Sequence, residues 1–287
     1  MNPSVSCVVL TQGRRPAELR LALNSLLRQR DVRLEVVVVG NDWQPTGLPP
    51  GVQSIPLEVD VGIPGGRNAG VPGTLGDLLF FLDDDAELAG DDVLARVAEK
   101  FADPELGLLQ LRVDARGGGP RRRDWVPRLR VGDPARSSDV TAVWEGAVAI
   151  PRKVFEQVGG WPAEFRYAHE GIDLAWRVMD AGYRVRYAGD VAVLHPTQTA
   201  PMPHDYSYYC GARNRVWLAR RHLPFPLGVL YVLMFALRTA PRLRSVDAVG
   251  EAARGYRDGM RGPCGKRRKL RIRTLVRMTL AGRPPII

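Results

Sequence analysis

The sequence predicts an α/β fold, in which a mostly parallel sheet is flanked by helices and followed by a helical, basic C-terminal extension. Three observations support this class. Short apolar runs suited to buried strands recur through the first 200 residues, helical apolar spacing lies between them, and several runs end in polar residues. Strands that alternate with helices form a largely parallel sheet, which binds ligands at the carboxyl ends of its strands. We place the α/β domain at residues 1–200 and the extension at residues 201–287.

The first half of the chain supplies most of the predicted sheet. Pro16 is expected to begin a helix, because its fixed φ suits the first helical position and leucines then recur at helical spacing. Asp91 or Asp92 is expected to begin a second helix that ends at Phe101. A glycine-rich turn at residues 61–73 separates two of the strands. The predicted strands are residues 5–10, 34–39, a weaker one near 54–57, 78–82 and 106–113.

A polar, glycine-rich segment at residues 114–139 interrupts this alternation and is predicted to be a long loop that is either mobile or covers a site. Regular structure resumes beyond it. The predicted elements are a strand at 144–150, helices at 152–158 and 170–181, short strands at 183–187 and 191–194, a helix at 205–221, and a basic tail with an intermittent apolar pattern at 262–283.

The basic character of the chain belongs to its C-terminal third. The net charge is +10, yet residues 1–200 hold 23 Lys and Arg against 27 Asp and Glu, whereas residues 201–287 hold 18 against 4. Such a segment suits nucleic acid, an anionic membrane surface or an acidic substrate, and charge alone leaves the three open.

Other features indicate a cytoplasmic globular protein. Cys7, Cys210 and Cys264 are far apart and show neither a disulfide framework nor metal-ligand spacing. The N-terminus has no basic region ahead of its apolar run, unlike a secretion signal. The longest apolar stretch, residues 223–237, is shorter than the roughly 20 residues that a bilayer crossing needs, so we expect no spanning helix.

The most informative segment is FFLDDDAEL, in which an apolar strand ends in Asp83, Asp84 and Asp85. Three carboxylates at one strand end are costly unless a cation is present, and hard oxygen ligands suit Mg²⁺ or Mn²⁺ bridging a diphosphate. The alternative is an acidic loop that caps the following helix.

Other polar segments follow the strands in a characteristic order: ThrGlnGlyArg, AsnAsp, GIPGGRNAGV, the aspartates, a GGW turn, an acidic helix start and VAVLHP. This order resembles glycosyltransferase family 2, which has the GT-A fold, over about residues 4–197. The resemblance implies an inverting transferase that uses a nucleotide-diphosphate sugar and Mn²⁺ or Mg²⁺, and it places Asp83, Asp85 and His195 around the metal.

The same resemblance suggests residues that bind the nucleotide-sugar. Asp42 and Thr11 would line the nucleotide pocket, although Asp42 also suits an ordinary turn. Asp84 would lie nearer the ribose or sugar. In GIPGGRNAGV, a glycine permits close backbone approach and an arginine fork suits phosphate oxygens. The residues assigned to the donor are Thr11, Asp42, Gly65, Arg67, Asn68, Asp83, Asp84 and the sugar-facing Glu145.

The catalytic base is expected in AHEGIDLAWRVMD. An inverting transfer requires a carboxylate that takes the proton of the acceptor hydroxyl. Many relatives have Glu-Asp where this chain has Glu170-Gly171, so we predict Glu170 as the base, with Asp173 as second choice because it shares a helix face. The structural alternative is that Glu170 complements the helix dipole while Asp173 pairs with Arg177.

The extension combines a basic helix with a short apolar segment, which is typical of a helix lying on an anionic leaflet. Packing of its leucines on the catalytic domain or on a second subunit is the alternative, so a homo-oligomer stays open. The acceptor is expected to be a glycan, a lipid-linked molecule or a small molecule. A sugar nucleotidyltransferase and a non-catalytic sugar-binding protein remain competing functions, and nucleic-acid binding is disfavoured because stacking aromatics are few.

Overall fold

The structure, a computed structural model, describes residues 2–197 and 204–286. Its strands are β1 (Ser4–Thr11), β2 (Arg33–Asn41), β3 (Val52–Leu57), β4 (Leu78–Asp83), β5 (Glu87–Leu88), β6 (Leu106–Ala115), β7 (Ser138–Asp139), β8 (Ala147–Pro151) and β9 (Arg184–His195). Its helices are α1 (Pro16–Leu27), α2 (Ile63–Ala69), α3 (Val93–Lys100), α4 (Arg152–Val158), α5 (Glu170–Asp180), α6 (His204–His222), α7 (Phe225–Thr239), α8 (Val246–Arg261) and α9 (Ile272–Leu280). The predicted α/β class is confirmed.

One sheet joins the strands in the order β3-β2-β1-β4-β8-β6-β9-β5, with β7 paired to β9. The first four strands of this order are parallel, as the sequence predicts, whereas β8 runs antiparallel to both β4 and β6. The sheet is therefore mixed beyond β4. Because Leu10 lies opposite Asp83 and Thr11 opposite Gly40, the carboxyl ends of β1, β2 and β4 meet at one edge.

The glycine-rich segment predicted as a turn forms helix α2, which packs directly on β1. Pro64 lies in its first turn, a position where its missing N–H costs nothing. A Cβ on Gly66 would lie 2.3 Å from Leu10 Cδ1, and one on Gly70 would lie 2.4 Å from Val8 Cγ1. The glycines therefore let the helix approach the strand closely enough to bring its polar end to the sheet edge.

Two predicted boundaries change around β8 and β9. β8 begins at Ala147, so Trp144 and Glu145 lie in the connection before it, and the two short strands predicted at 183–194 form the single strand β9. The loop at 114–139 contains a one-turn 3-10 helix with a buried Trp125, and Tyr187 of β9 donates a hydrogen bond to Pro134 O at 2.9 Å. This loop is thus attached to the sheet through specific contacts.

The C-terminal extension is helical, as predicted, and α6 packs against both α7 and α8. Small residues allow the closest approach, since a Cβ on Gly255 would lie 2.3 Å from Tyr209 O. The Arg220 guanidinium donates to Gly259 O and Gly262 O, both at 2.6 Å, which ties the end of α8 to α6. None of the helices in residues 2–197 and 204–286 combines the length and the apolar character that a bilayer crossing demands.

Candidate active site at the carboxyl edge of the sheet

Three consecutive carboxylates occupy the end of β4. Asp84 and Asp85 are buried, whereas Asp83 is partly exposed. Thr11 at the end of β1 donates a hydrogen bond to Asp84 Oδ2 at 2.6 Å, and Arg15 forms ion pairs with both Asp84 and Asp85. Burial raises the pKa of Asp84 to about 6, against the opposing effects of Arg15 and Thr11. The run is a concentrated negative site, and Arg15 partly neutralises its two buried members.

Asp83, Asp85 and His195 form a group suited to a metal ion, with one ligand atom from each within 4.8 Å of the others. His195 Nε2 lies 3.0 Å from Asp85 Oδ1 and 4.0 Å from Asp83 Oδ2. Its Nδ1 lies 2.8 Å from Pro196 O, an arrangement in which Nδ1–H donates and Nε2 faces the carboxylates, where it donates to Asp85 when protonated and would ligate a metal ion when deprotonated. Two carboxylates and one imidazole suit Mn²⁺ or Mg²⁺. The donor set therefore fits the expected cofactor.

Aromatic rings hold the imidazole of His195 in place. The rings of Trp125 and Trp144 approach it edge-on, with centroids 5.5 and 5.2 Å away. Burial tends to lower the pKa of His195, but its hydrogen bond and charge interaction with Asp85 outweigh this, and the net pKa is raised. The loop at 114–139, which supplies Trp125, thus packs against His195. We call Asp83, Asp85 and His195 the metal group.

Arg67 links the aspartates to the start of α5. Its Nη2 donates to Asp83 Oδ1 at 2.8 Å, and its Nη1 lies 4.0 Å from Glu170 Oε1. The guanidinium is buried and stacks over Trp161 at 5.1 Å. Nη1 of Arg67 and Oε2 of Glu170 are buried atoms with no hydrogen-bond partner among the described residues. Unpaired buried groups of opposite charge are costly in isolation, so they are typical of a site that a polar ligand completes.

A second carboxylate, Glu145, lies beside Glu170. Glu145 Oε1 accepts a hydrogen bond from the backbone N–H of Gly171 at 2.7 Å. Desolvation, then the charge of Glu170, raises the pKa of Glu145 to about 8. Desolvation also raises the pKa of Glu170, although Arg67 opposes the shift. The pair thus favours holding a proton near neutral pH, as a general acid or base does.

The aspartates at the carboxyl edge, Arg67 and Glu145 lie within a stretch of sequence that matches a known family. A sequence profile of glycosyl transferase family 2 matches residues 6–159, more than half of the chain. The chain belongs to glycosyl transferase family 2.

Two bacterial proteins illustrate the relatives of this family 2 chain. It is 26% identical over 157 residues to the O-antigen chain rhamnosyltransferase RfbN of Salmonella typhimurium, covering 50% of this chain and 49% of RfbN. It is 23% identical over 258 residues to the O-antigen biosynthesis protein RfbC of Myxococcus xanthus, covering 78% of this chain and 20% of RfbC. The chain thus spans about half or less of the length of these relatives.

Solved structures confirm the GT-A fold of this family 2 chain. GalNAc-T7 with UDP, GalNAc and Mn²⁺ matches with a TM-score of 0.65 at 15% identity, covering 91% of this chain and 56% of the other. S. aureus TarS in complex with UDP-GlcNAc gives 0.61 at 14%, covering 95% and 83%. The mannosyltransferase PcManGT from Pyrobaculum calidifontis with GDP-Man and Mn²⁺ gives 0.58 at 20%, covering 98% and 85%.

Asn68, expected to address the donor, has a structural role in this family 2 chain. Its Nδ2 donates to Trp161 O and its Oδ1 accepts from Trp161 N, both at 2.9 Å. Both ends of the amide are thereby used to join α2 to the segment after α4. Gly65 lies within α2, where a Cβ would be 3.1 Å from Val61 Cγ2. Of the three residues expected from this segment, the structure brings only Arg67 to the aspartates.

Asp42 lies where the nucleotide pocket is expected, exposed just beyond β2 in a left-handed conformation with φ 58°. The neighbouring Asn41 donates to Asp60 Oδ1 at 2.7 Å and accepts from Val61 N at 2.9 Å. Asn41 therefore fixes the entry to α2, a role that its sequence context did not reveal. Sequence patterns also did not assign Arg15 to the site, although Arg15 follows β1 directly and so lies at the carboxyl edge, where it pairs with Asp84 and Asp85.

Asp173, the second choice for the base, is fully buried in a charge cluster behind the site. Its Oδ2 accepts from Arg177 Nε at 2.6 Å, and its Oδ1 lies 2.7 Å from His222 Nε2 and 3.2 Å from Arg221 Nη1. Burial tends to raise the pKa of Asp173, but the charges of Arg177, His222 and Arg221 outweigh it and hold the pKa well below its usual range. Both oxygens are engaged, so the structure gives Asp173 a structural role that joins the extension to α5.

A strained turn positions the start of α5. Arg166, Ala168 and His169 all have positive φ, between 59° and 69°, a conformation that costs roughly 1–2 kcal/mol per residue. The fully buried Asn214 of α6 donates through Nδ2 to Phe165 O at 3.1 Å, Tyr167 O at 2.7 Å and Ala168 O at 2.9 Å. The extension thereby holds the turn that places Glu170.

Proposed function

We propose that this chain is a metal-dependent, inverting glycosyltransferase that moves a sugar from a nucleotide-diphosphate sugar to a hydroxyl acceptor. The observation that carries the proposal is the juxtaposition of two sites at one edge of the sheet. The metal group of Asp83, Asp85 and His195 is connected through Arg67 to the buried carboxylate of Glu170 at the start of α5. A charged leaving group and an acceptor hydroxyl need these two sites side by side.

The donor would bind with its diphosphate at the metal group. Asp83, Asp85 and His195 would hold Mn²⁺ or Mg²⁺, which when bound stabilises the negative charge of the departing diphosphate. Thr11, Asp42 and Asp84 would line the nucleoside side, because they lie at the adjacent ends of β1, β2 and β4. Arg67 Nη1, which no group within residues 2–197 and 204–286 hydrogen-bonds, would donate to a phosphate or sugar oxygen.

The acceptor would approach from the side of the glutamate pair. Its hydroxyl oxygen bonds to the anomeric carbon while the bond from that carbon to the diphosphate oxygen breaks, and the electron pair leaves with the diphosphate. The hydroxyl proton passes to a glutamate beside Arg67, where the sequence predicts Glu170. Attack opposite the leaving group inverts the anomeric configuration, so no covalent enzyme intermediate is required.

The acceptor class is proposed from the relatives. O-antigen synthesis is the function named for RfbC, and rhamnosyl transfer to the O-antigen chain is the activity named for RfbN. These names favour a hexose or deoxyhexose donor and a cell-envelope glycan acceptor, and they support a lipid-linked acceptor among the three expected classes.

Turnover with a panel of donors tests the proposal. The protein is incubated with Mn²⁺, an envelope glycan acceptor and UDP-, GDP- or dTDP-sugars, and nucleoside diphosphate, pyrophosphate and anomeric configuration are measured. We expect nucleoside diphosphate release with an inverted product, lost in Asp85→Ala. Asp91→Asn is the matched control, because Asp91 is a partly exposed aspartate that pairs with Arg28. Pyrophosphate formation would instead establish nucleotidyl transfer, and donor binding without turnover would establish a non-catalytic protein.

We also propose that the extension lies on an anionic membrane surface. α7 exposes Phe225, Val229, Leu233 and Leu237 at four-residue spacing, and α9 exposes Ile272, Val276 and Leu280 in the same way. We call these seven residues the apolar stripes. Exposed cations accompany them, namely Arg238, Arg242, Arg244, Arg271 and Arg273. Apolar helix faces bordered by arginines suit a leaflet with anionic headgroups.

Cosedimentation with vesicles tests this contact. The protein should bind vesicles that contain phosphatidylglycerol and bind pure phosphatidylcholine weakly, and a Phe225→Ser, Leu233→Ser, Leu237→Ser variant should lose binding. Leu75→Ser is the control, since Leu75 is 83% exposed on the α/β domain. Undiminished binding by the triple variant would reject the proposal. Self-association that disappears in this variant would instead assign the stripes to a homo-oligomer contact.

A further inference from the structure

We propose that Glu145, and not Glu170, is the general base, and that Gly171 exists to make room for it. This inference rests on the glycosyl transfer proposed above. Glu145 comes from the connection before β8, far in sequence from the helix start where a base was expected. Three features of the site lead to it: the space beside Gly171, the accessibility of the two glutamates, and the position of Gly146.

The carboxylate of Glu145 occupies the space that a side chain at position 171 would need. A Cβ on Gly171 would lie 2.5 Å from Glu145 Oε1 and 2.5 Å from Val143 O. The Gly171 N–H donates to that same Oε1 at 2.7 Å. This N–H lies in the first turn of α5, where the unpaired amides of a helix favour a carboxylate. Glycine at 171 therefore allows Glu145 to take the place of a carboxylate carried by α5 itself.

The two glutamates differ in accessibility. The side chain of Glu170 is 4% exposed and faces the Arg67 guanidinium, whereas Glu145 is partly exposed. An acceptor approaches a residue that is partly exposed more readily than one that the protein encloses. With Oε1 held by Gly171, Oε2 of Glu145 is the oxygen left to take the proton. Glu170 then acts as a positioning residue, because its charge lies against Arg67.

The backbone after Glu145 places it next to the donor site. Gly146 O accepts a hydrogen bond from Asp83 N at 2.9 Å, and a Cβ on Gly146 would lie 2.4 Å from Asp83 Oδ2. Glu145 is therefore one residue away from direct contact with the metal group. Desolvation and the charge of Glu170 also raise the pKa of Glu145, which makes its carboxylate a stronger proton acceptor than that of an ordinary glutamate.

The reaction step assigned to Glu145 is a single proton transfer. The acceptor oxygen bonds to the anomeric carbon, the diphosphate leaves with the electron pair of the broken bond, and the hydroxyl proton moves to Glu145 Oε2. Glu145 returns to its carboxylate form when this proton passes to water after product release. No oxidant, reductant or further reactant is needed.

Two glutamine variants, measured alongside wild type, test the assignment. Single-turnover transfer and donor affinity are measured with Mn²⁺ for Glu145→Gln and Glu170→Gln. We expect Glu145→Gln to lose transfer by 10²-fold or more while donor affinity stays within about threefold, as removal of a general base predicts. Glu170→Gln should weaken donor binding through Arg67 and slow transfer less. A Glu145→Gln variant with transfer within tenfold of wild type would overturn the assignment.

A carboxylate exchange makes the test independent of simple loss of function. The Glu145→Gly, Gly171→Asp double variant removes the carboxylate from one element and restores it on the other, in the same space. We expect the double variant to transfer at least tenfold faster than Glu145→Gly alone, and equal rates would count against a shared position. If wild type binds the donor but transfers nothing, the proposed function itself fails, and the assignment fails with it.

Discussion

Asp173→Asn separates a structural role for Asp173 from a catalytic one. The substitution keeps the shape of the side chain and removes its charge, so that Arg177, Arg221 and His222 lose their common partner. Asp173 is 0% exposed and Arg221 is 5% exposed. Breaking a buried ion pair by removing one partner costs about 3–5 kcal/mol, because the remaining charge stays desolvated. We therefore expect the free energy of unfolding to fall by about that amount.

The dependence on pH follows from the sign of the shift. The pKa of Asp173 is lower in the folded protein than in the unfolded chain. Its charge therefore contributes stability that is complete above the unfolded pKa of about 3.9 and is lost as the pH falls towards the folded pKa. The stability difference between wild type and Asp173→Asn should be constant between pH 5 and 8 and should shrink below about pH 4.

Urea unfolding followed by circular dichroism measures this difference at each pH. Glu164→Gln is the matched control, since Glu164 pairs with the same Arg221 at 3.0 Å but is half-exposed, and an exposed pair contributes about 1 kcal/mol or less. An Asp173→Asn variant within 1 kcal/mol of wild type at pH 7 would refute the reasoning. A variant that is fully folded yet inactive would return Asp173 to the role of base.

Two further changes test the scaffold. Asn214→Ala removes the amide that hydrogen-bonds the strained turn before α5. We expect steady-state kinetics to show transfer slowed at least tenfold, and calorimetry to show an unchanged affinity for the nucleotide-sugar. Unchanged turnover would contradict a positioning role for Asn214. Gly66→Ala should destabilise the fold by about 1–3 kcal/mol in urea unfolding, because the new Cβ would meet Leu10 at 2.3 Å. Gly250→Ala should be neutral or stabilising, because its Cβ meets no atom of the described part of the chain within 4 Å. Equal stability of the two variants would contradict the close packing of α2 on β1.

Periodicity and strand-end chemistry predicted the parallel part of the sheet and the aspartate run. Because an apolar strand ends directly in these acids, their own segment placed Asp83 and Asp85 at the end of β4, whereas their role at a metal came from the family resemblance. His195 needed the order of all the elements, because a histidine after a strand is by itself uninformative.

Contacts between distant segments were harder to predict. Asn68 and Arg67 are neighbours in one glycine-rich segment, yet only Arg67 reaches the aspartates, because α2 turns Asn68 towards Trp161. In the sequence, a glycine at 171 indicates that the base is absent from α5. Only the structure shows that the Glu145 carboxylate occupies the space beside this glycine. Pairings of this kind depend on how β8 meets α5, which local sequence patterns do not encode.

Coupling between metal and donor tests the central claim most directly. Donor binding is measured by calorimetry with and without Mn²⁺ for wild type, Asp85→Asn and the control Asp91→Asn. If Asp83, Asp85 and His195 bind the metal that holds the diphosphate, Mn²⁺ should raise the affinity for the nucleotide-sugar at least tenfold in wild type and in Asp91→Asn. Asp85→Asn should lose this gain. Donor affinity that is the same with and without Mn²⁺ in wild type, or a full gain retained by Asp85→Asn, would contradict it.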